Sequence, residues 1–301
     1  MDYFFTVEFR QIRYFIEIHR KGSFLRAASA LGLTQPALSR QIALLERELG
    51  NDLFLRHGRR LELTEAGSLL LEKAVRLQDL WQETLDSVRG SNDALTGNYR
   101  IATGGTIAAY ILPAMLLGMK KKYPDVSFQV VEGDLRATRD AVLWGEVEIG
   151  ILTDQEYHPD LNHRHFISDR IFPVVSARHP LANQKKLRMA DLGDYEFVYF
   201  HPQSAIRRTV EARMQSANFE PVIAMELRSV DAVIRSVEAG LGIGFVSHYC
   251  MNKNLISLPV PELEASREFY FCWRKGRPGM IRAIDALQQS YILPNRNKRK
   301  E

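Results

Sequence analysis

The chain has 301 residues, enough for two or three compact units, with a hydrophobic share of 46% and a charged share of 25% that are ordinary for globular proteins. No run of about eighteen apolar residues occurs, so a membrane-spanning helix is excluded, and the start of the chain lacks the basic lead and small-residue cleavage site of a secretory signal. A net charge of +4 permits nucleic-acid binding without establishing it, and two cysteines, Cys250 and Cys272, in apolar surroundings read as buried thiols of a cytoplasmic protein.

Ile12, Phe15, Ile16 and His19 fall at helical spacing and predict a first helix over 9–19, ended by Gly22. Ser23 caps a second, short helix with Phe24, Ala27, Ala28 and Leu31 on its inner face. Gly32 and Leu33 make a turn. Thr34 caps a third helix with Pro36 in its first turn, where a missing N–H is harmless. Ala37, Leu38, Ile42, Leu45 and Leu49 mark its apolar flank, and Gln35, Ser39, Arg40 and Arg47 stand opposite. A short helix, a turn and a longer helix presenting an amide, a hydroxyl and guanidinium groups is the shape of a major-groove reader, although a plain helical hairpin has the same outline.

The segment after Gly50 favours the reader. Leu53 to Leu55 and the alternating Leu61 and Leu63 flank a turn at His57, Gly58 and Arg59, predicting a hairpin whose tip carries Arg56, Arg59 and Arg60. A basic tip beside a recognition helix is a wing for flanking phosphates or the minor groove. From Thr64 a long helix runs to about Val88. Leu70, Ala74, Leu77, Trp81, Thr84 and Val88 step by 4, 3, 4, 3 and 4 residues, the seam of a dimerising coiled coil. Gly90 to Asn98 is a linker.

Beyond Tyr99 strands alternate with helices, predicting an open, mostly parallel α/β sheet, and the pattern starts afresh near Arg170. A repeated α/β unit with two crossings between its halves is how hinged binding proteins enclose a ligand. Turns after strand ends nominate Thr103, Gly104 and Thr106 as a seat for a carboxylate or other small anion, with His201 and Ser204 from the second lobe, Ser229 as a third turn and Arg136 reaching in from a helix. For each, a purely structural cap or a solvated surface residue is the plainer reading. No zinc-protease, P-loop, serine-hydrolase or cysteine-pair zinc motif is present, so no catalytic and no metal residues are assigned. His163, Arg164 and His165 alternate without acidic or thiol partners nearby, and Gly240–Gly244 reads as a tight helix-to-strand turn.

FRQIRYFIEI, GSFLRAASALGLTQPALSRQIALLERELG and LFLRHGRRLELTEAG together resemble the LysR-type transcriptional regulators in order, spacing and chemistry. ILPAMLLGMKKKYPDVSFQVVEG, VLWGEVEIGIL, HPLA and VEAGLGIG extend the likeness over nearly the whole chain. The resemblance implies an N-terminal winged helix-turn-helix with a linker helix, then a two-lobed α/β domain like the periplasmic binding proteins. It implies domains at 8–66 (DNA binding), 67–96 (linker and dimerisation) and 97–301 (effector binding). Within the last, lobe I takes 97–169 and 270–294, lobe II takes 170–269, and a basic tail takes 295–301. The implied partners are promoter DNA, further copies of the chain in a dimer or homotetramer, a small-molecule effector in place of any cofactor, and RNA polymerase. Gln35, Pro36, Ser39 and Arg40 fall on its DNA-contacting positions, Arg56, Arg59 and Arg60 in its wing, and Thr103 where it offers a hydroxyl to an effector carboxylate; the helix caps Ser23 and Thr34 are counted with the DNA-binding residues. Two departures stand out. Phe245 follows GLGIG where the family often has proline, and a longer segment precedes Arg10. Two other functions fit the same elements: a solute-binding or catalytic α/β protein with a helical oligomerisation head, or a constitutive regulator with an idle cleft.

Overall fold

The computed structural model describes residues 7–57, 60–88, 95–154, 158–277 and 279–295. Two compact units result, the first built mainly from residues up to 92 and the second from the remainder.

In the first unit, α1 (Phe9–Lys21), α2 (Phe24–Leu31) and α3 (Gln35–Leu49) each end at a glycine in the left-handed conformation, Gly22, Gly32 and Gly50. Oγ of Ser23 and Oγ1 of Thr34 accept from the amides of Arg26 and Ala37 at 3.5 and 3.4 Å. Strands β1 (Phe54–His57) and β2 (Arg60–Leu63) pair antiparallel, with Phe54 opposite Leu63. Helix α4 (Glu65–Val88) begins at Thr64, whose Oγ1 accepts from the Gly67 amide at 2.9 Å. Phe15, Ile18, Leu38, Ile42, Leu45, Leu53 and Leu71 fill the core. Gly67 is required there: a Cβ at this position would lie 2.1 Å from the Leu53 carbonyl oxygen.

The expected seam along α4 splits in two. Ala74 is buried and Leu70 half-buried against the head's own core. Leu77, Trp81 and Val88 are exposed and are joined by Leu69 and Leu80, which lie off the heptad positions. Periodicity marks a helical face, but the packing of the neighbouring helices decides which turns of it stay open.

The second unit is organised by strands. β3 (Gly97–Thr103) lies between β4 (Val126–Glu132) and β5 (Ile149–Thr153), both parallel to it. Helices α5 (Leu112–Lys122) and α6 (Leu135–Leu143) belong to this lobe. Between β3 and α5 runs a π-helical turn, Ile107–Ile111, in which the Leu112 amide reaches back to the Ile107 carbonyl. Pro113 supplies the cause, because it has no N–H for the ordinary helical bond and the turn before it widens.

The 16-residue β6 (Leu161–Ser176) then crosses into the second lobe. That lobe holds β7 (Glu196–Phe200), α7 (Ala205–Ser216), β8 (Val222–Leu227), α8 (Val230–Glu238), β9 (Gly244–Ser247) and β10 (Leu255–Ser257). Strand β11 (Ala265–Arg274) returns antiparallel to β6, and α9 (Gly279–Asn295) closes the chain over the first lobe's core, where Ala283, Ile284 and Leu287 are buried. The sheet order β10-β6-β11-β5-β3-β4 corrects the expectation of mostly parallel pairing. β6 pairs antiparallel with β9, β10 and β11, and β11 does so with β5. His163, Arg164 and His165 alternate because they lie on β6.

The two crossing strands are welded where they pass between lobes. Asp169 and Arg267 are register partners, and Oδ2 of Asp169 accepts from Arg267 Nε at 2.8 Å. Its Oδ1 accepts from Ser247 Oγ at 2.7 Å and lies 2.9 Å from His248 Nδ1. Asp169 is wholly buried, so this carboxylate survives folding only because donors surround it.

Candidate functional sites in the head and the cleft

On the head, α3 turns Leu38, Ile42 and Leu45 into the core, while Gln35, Pro36, Ala37, Arg40 and Arg47 are exposed and Ser39 is half-buried. The sequence pattern places Ala37 and Leu49 on the apolar flank, but both are exposed, so the outward face is wider than expected. Arg40 has no ion-pair partner among the described residues, leaving its guanidinium available. Ser23 and Thr34 are both occupied as caps, which positions the helices and leaves each hydroxyl proton free. The backbones of Arg56 and Arg60 lie on the hairpin, opposite Leu61 and His57. Arg59 and the basic tail after Asn295 lie outside the described residues.

In the second unit a cavity of about 400 Å³ opens between the lobes. It sits at the carboxyl ends of the parallel strands, where open α/β sheets place their ligands. Of the sequence's candidates, Gly104, Thr106, His201 and Ser204 line it. Thr103, Arg136 and Ser229 are not in the lining. Thr103 is buried and its Oγ1 donates to the Ile151 carbonyl at 3.1 Å, so this hydroxyl belongs to the sheet. Arg136 is exposed on α6, and Ser229 caps α8 by accepting from the Ala232 amide.

Several lining residues escape a reading of the sequence. Glu132 and Asp134 follow β4, Arg228 follows β8, and Gln203 contacts His201 Nδ1 through Oε1 at 2.9 Å. Phe200 and Phe269 supply apolar wall. Arg267 also reaches the cavity from the crossing, and its Nη2 donates to Thr106 Oγ1 at 3.1 Å. The hinge is thereby wired to the cleft: one guanidinium holds the buried Asp169 and a lining hydroxyl together. A second tie joins the lobes where Tyr110, in the π-helical turn, donates to Asp231 Oδ1 at 2.5 Å. Burial and this acceptor push the Tyr110 hydroxyl well above the usual phenol range, so it remains a donor.

The cysteines are free and buried. Burial pushes both thiols up to about 12, leaving them protonated and unreactive at neutral pH. Among the described residues no group of three His, Cys, Asp or Glu side chains could hold a metal ion, and no helix is long and apolar enough to cross a membrane.

A winged helix-turn-helix head followed by a two-lobed α/β domain with a polar cleft defines a class, the ligand-responsive DNA-binding regulators. Comparison with known proteins makes the assignment. Residues 9–68 match the family described as bacterial regulatory helix-turn-helix protein, lysR family, and residues 92–291 match the LysR substrate binding domain. A probable RuBisCO transcriptional regulator of Trichormus variabilis is 33% identical over 257 residues, covering 83% of this chain and 76% of the relative. The structure of a full-length OxyR point variant from Pseudomonas aeruginosa has a TM-score of 0.78 at 20% identity, covering 94% of this chain and 97% of that one. CbnR complexed with its target DNA has a TM-score of 0.60 at 23% identity, covering 94% and 100%. At these identities the two structures establish the fold. The chain belongs to the LysR family of bacterial transcriptional regulators. It is a sequence-specific DNA-binding regulator with an effector-binding α/β domain.

Proposed function

We propose that Gln35, Ser39 and Arg40 read base edges in the major groove, while Ser23, Thr34 and Pro36 set the approach of α3 to the backbone and Arg56, Arg59 and Arg60 flank it as a wing. The reading rests on one observation. The first turns of α3 present an exposed amide and a guanidinium unpaired among the described residues, opposite the fully buried Leu38, Ile42 and Leu45, which is the arrangement a groove-reading helix needs. In this reading the chain divides at 8–66, 67–96 and 97–301. The exposed Leu77, Leu80, Trp81 and Val88 of α4 seat a second copy, giving two heads for an inverted-repeat operator. A small molecule in the interlobe cavity shifts the lobes, and through the dimer changes the angle between heads and the access of polymerase. Thiol-based redox sensing is a poorer reading, because both sulfurs are buried and protonated.

The test uses a bound promoter duplex taken from a genome-wide occupancy map and a scrambled duplex of equal length. Arg40→Ala should weaken the promoter complex by about 1–3 kcal/mol while leaving scrambled binding nearly unchanged. Equal losses on both duplexes would reassign Arg40 to a phosphate contact. Absence of any selective, salt-dependent binding would remove the groove-reading assignment altogether.

A further inference from the structure

The two sides of the interlobe cavity carry opposite charge. On lobe I, Glu132 ends β4 with its carboxylate against the glycine pair, and a Cβ added to Gly105 would come within 2.7 Å of Glu132 Oε1. Asp134 stands beside it and spends Oδ1 on the Ala137 amide at 2.9 Å. On lobe II, Arg228 is exposed at the cavity after β8. The N-terminus of the 12-residue α7 also faces in, and Ser204 makes no side-chain cap there, so first-turn amides are left for an anion. Arg267 adds nothing to this balance, since Asp169 takes up its charge.

An independent feature of the same cavity calls for a polar guest. Thr138 lines it at 2% exposure, and its Oγ1 has no hydrogen-bond partner among the described residues. Its methyl is turned to Gly150, 3.3 Å from where a Cβ would stand, and its hydroxyl to Gly133, itself a lining residue. A buried hydroxyl left without a partner is costly, and a bound hydrogen-bonding group would relieve that cost.

We infer that the cavity takes a small monocarboxylate bearing an amine or hydroxyl, with the carboxylate on Arg228 and the α7 amides and the donor on Glu132, and that it rejects dianions. This rests on reading the cavity as the effector site and adds the ligand's polarity. A second negative group would face Glu132 and Asp134 in a partly desolvated space, where like charges repel strongly. An amine or hydroxyl there would meet an acceptor that has no partner among the described residues.

Calorimetric titration of the full chain tests this with four ligand sets of matched carbon count: 2-amino acids, 2-hydroxy acids, plain monocarboxylates and dicarboxylates. The best amino or hydroxy acid should bind at least about tenfold tighter than its dicarboxylate counterpart. Glu132→Gln should reduce that preference to within roughly threefold, and Arg228→Gln should weaken every acid by about tenfold or more. Both side chains are exposed, so thermal melts of the variants should match the parent. Dicarboxylates binding as well as the amino and hydroxy acids would overturn the inference while leaving the cavity as the effector site. An undiminished preference in Glu132→Gln would do the same. If no ligand set binds the parent chain, the effector-site reading falls, and the inference with it.

Discussion

Asp169→Asn isolates the electrostatics of the crossing. Asp169 has no accessible surface, and the side chain of its partner Arg267 is 5% exposed. The substitution keeps the shape and removes the counter-charge, leaving a buried guanidinium beside Thr106 Oγ1 and the Phe269 ring with no anion to balance it. Breaking a buried pair in this way costs about 3–5 kcal/mol, because the remaining charge stays desolvated. For a unit of this size each kcal/mol moves the midpoint by about 2–4 °C, so a fall of roughly 6–20 °C is expected in the effector-domain melt. The cost belongs to the orphaned charge, not to the worth of the pair. Asp169→Asn combined with Arg267→Met should therefore recover to within about 1 kcal/mol of the parent. Calorimetry and urea unfolding of the parent, both single variants and the double variant measure the cycle. A single-variant loss below about 1 kcal/mol, or a double variant no better than Asp169→Asn, would show that the cost does not lie in the orphaned charge.

Three further outcomes are expected. Gly67→Ala should destabilise the head by about 1–3 kcal/mol, seen as an earlier head transition in urea, because the new methyl would overlap the Leu53 carbonyl oxygen. Thr103→Val should cost about 1 kcal/mol and leave ligand titrations unchanged, since its hydroxyl serves the Ile151 carbonyl; a lost ligand response would return Thr103 to the binding site. Cys250 and Cys272 should resist thiol reagents in the folded chain and react only on unfolding. Their thiols are pushed from 9.0 up to about 12. Above about pH 9 the unfolded chain therefore releases protons that the folded chain retains, and stability measured in urea should fall as pH rises.

The head is readable from sequence because its signals are short-range. Ser23, Thr34, Pro36 and the glycines act within a turn of where they stand. The second unit is readable as alternating elements, but not in its pairing. The first half of β6 carries Asn162, Arg164 and Ser168 among its apolar residues, and its partner β11 lies some hundred residues away, so local pattern could not announce the crossing. Thr103 shows a limit of another kind. A hydroxyl at a strand end looks the same whether it faces a cavity or the next strand, and one residue of register decides between them. Glu132 and Arg228 did leave a signal, since Glu132 closes β4 and Arg228 follows β8 at the carboxyl ends, where ligand-binding turns lie.

The contact between Gly67 and Leu53 has a mechanical consequence. It fixes the foot of α4 to the segment leading into the hairpin, so wing and long helix turn together as one lever. At 24 residues that lever is about 36 Å long. A tilt of about ten degrees imposed at its distal end would carry the wing through about 6 Å, nearly two base-pair steps of about 3.4 Å. Slack at the foot would absorb such a motion before it reached the groove, and a backbone contact that admits no methyl group leaves no room for slack.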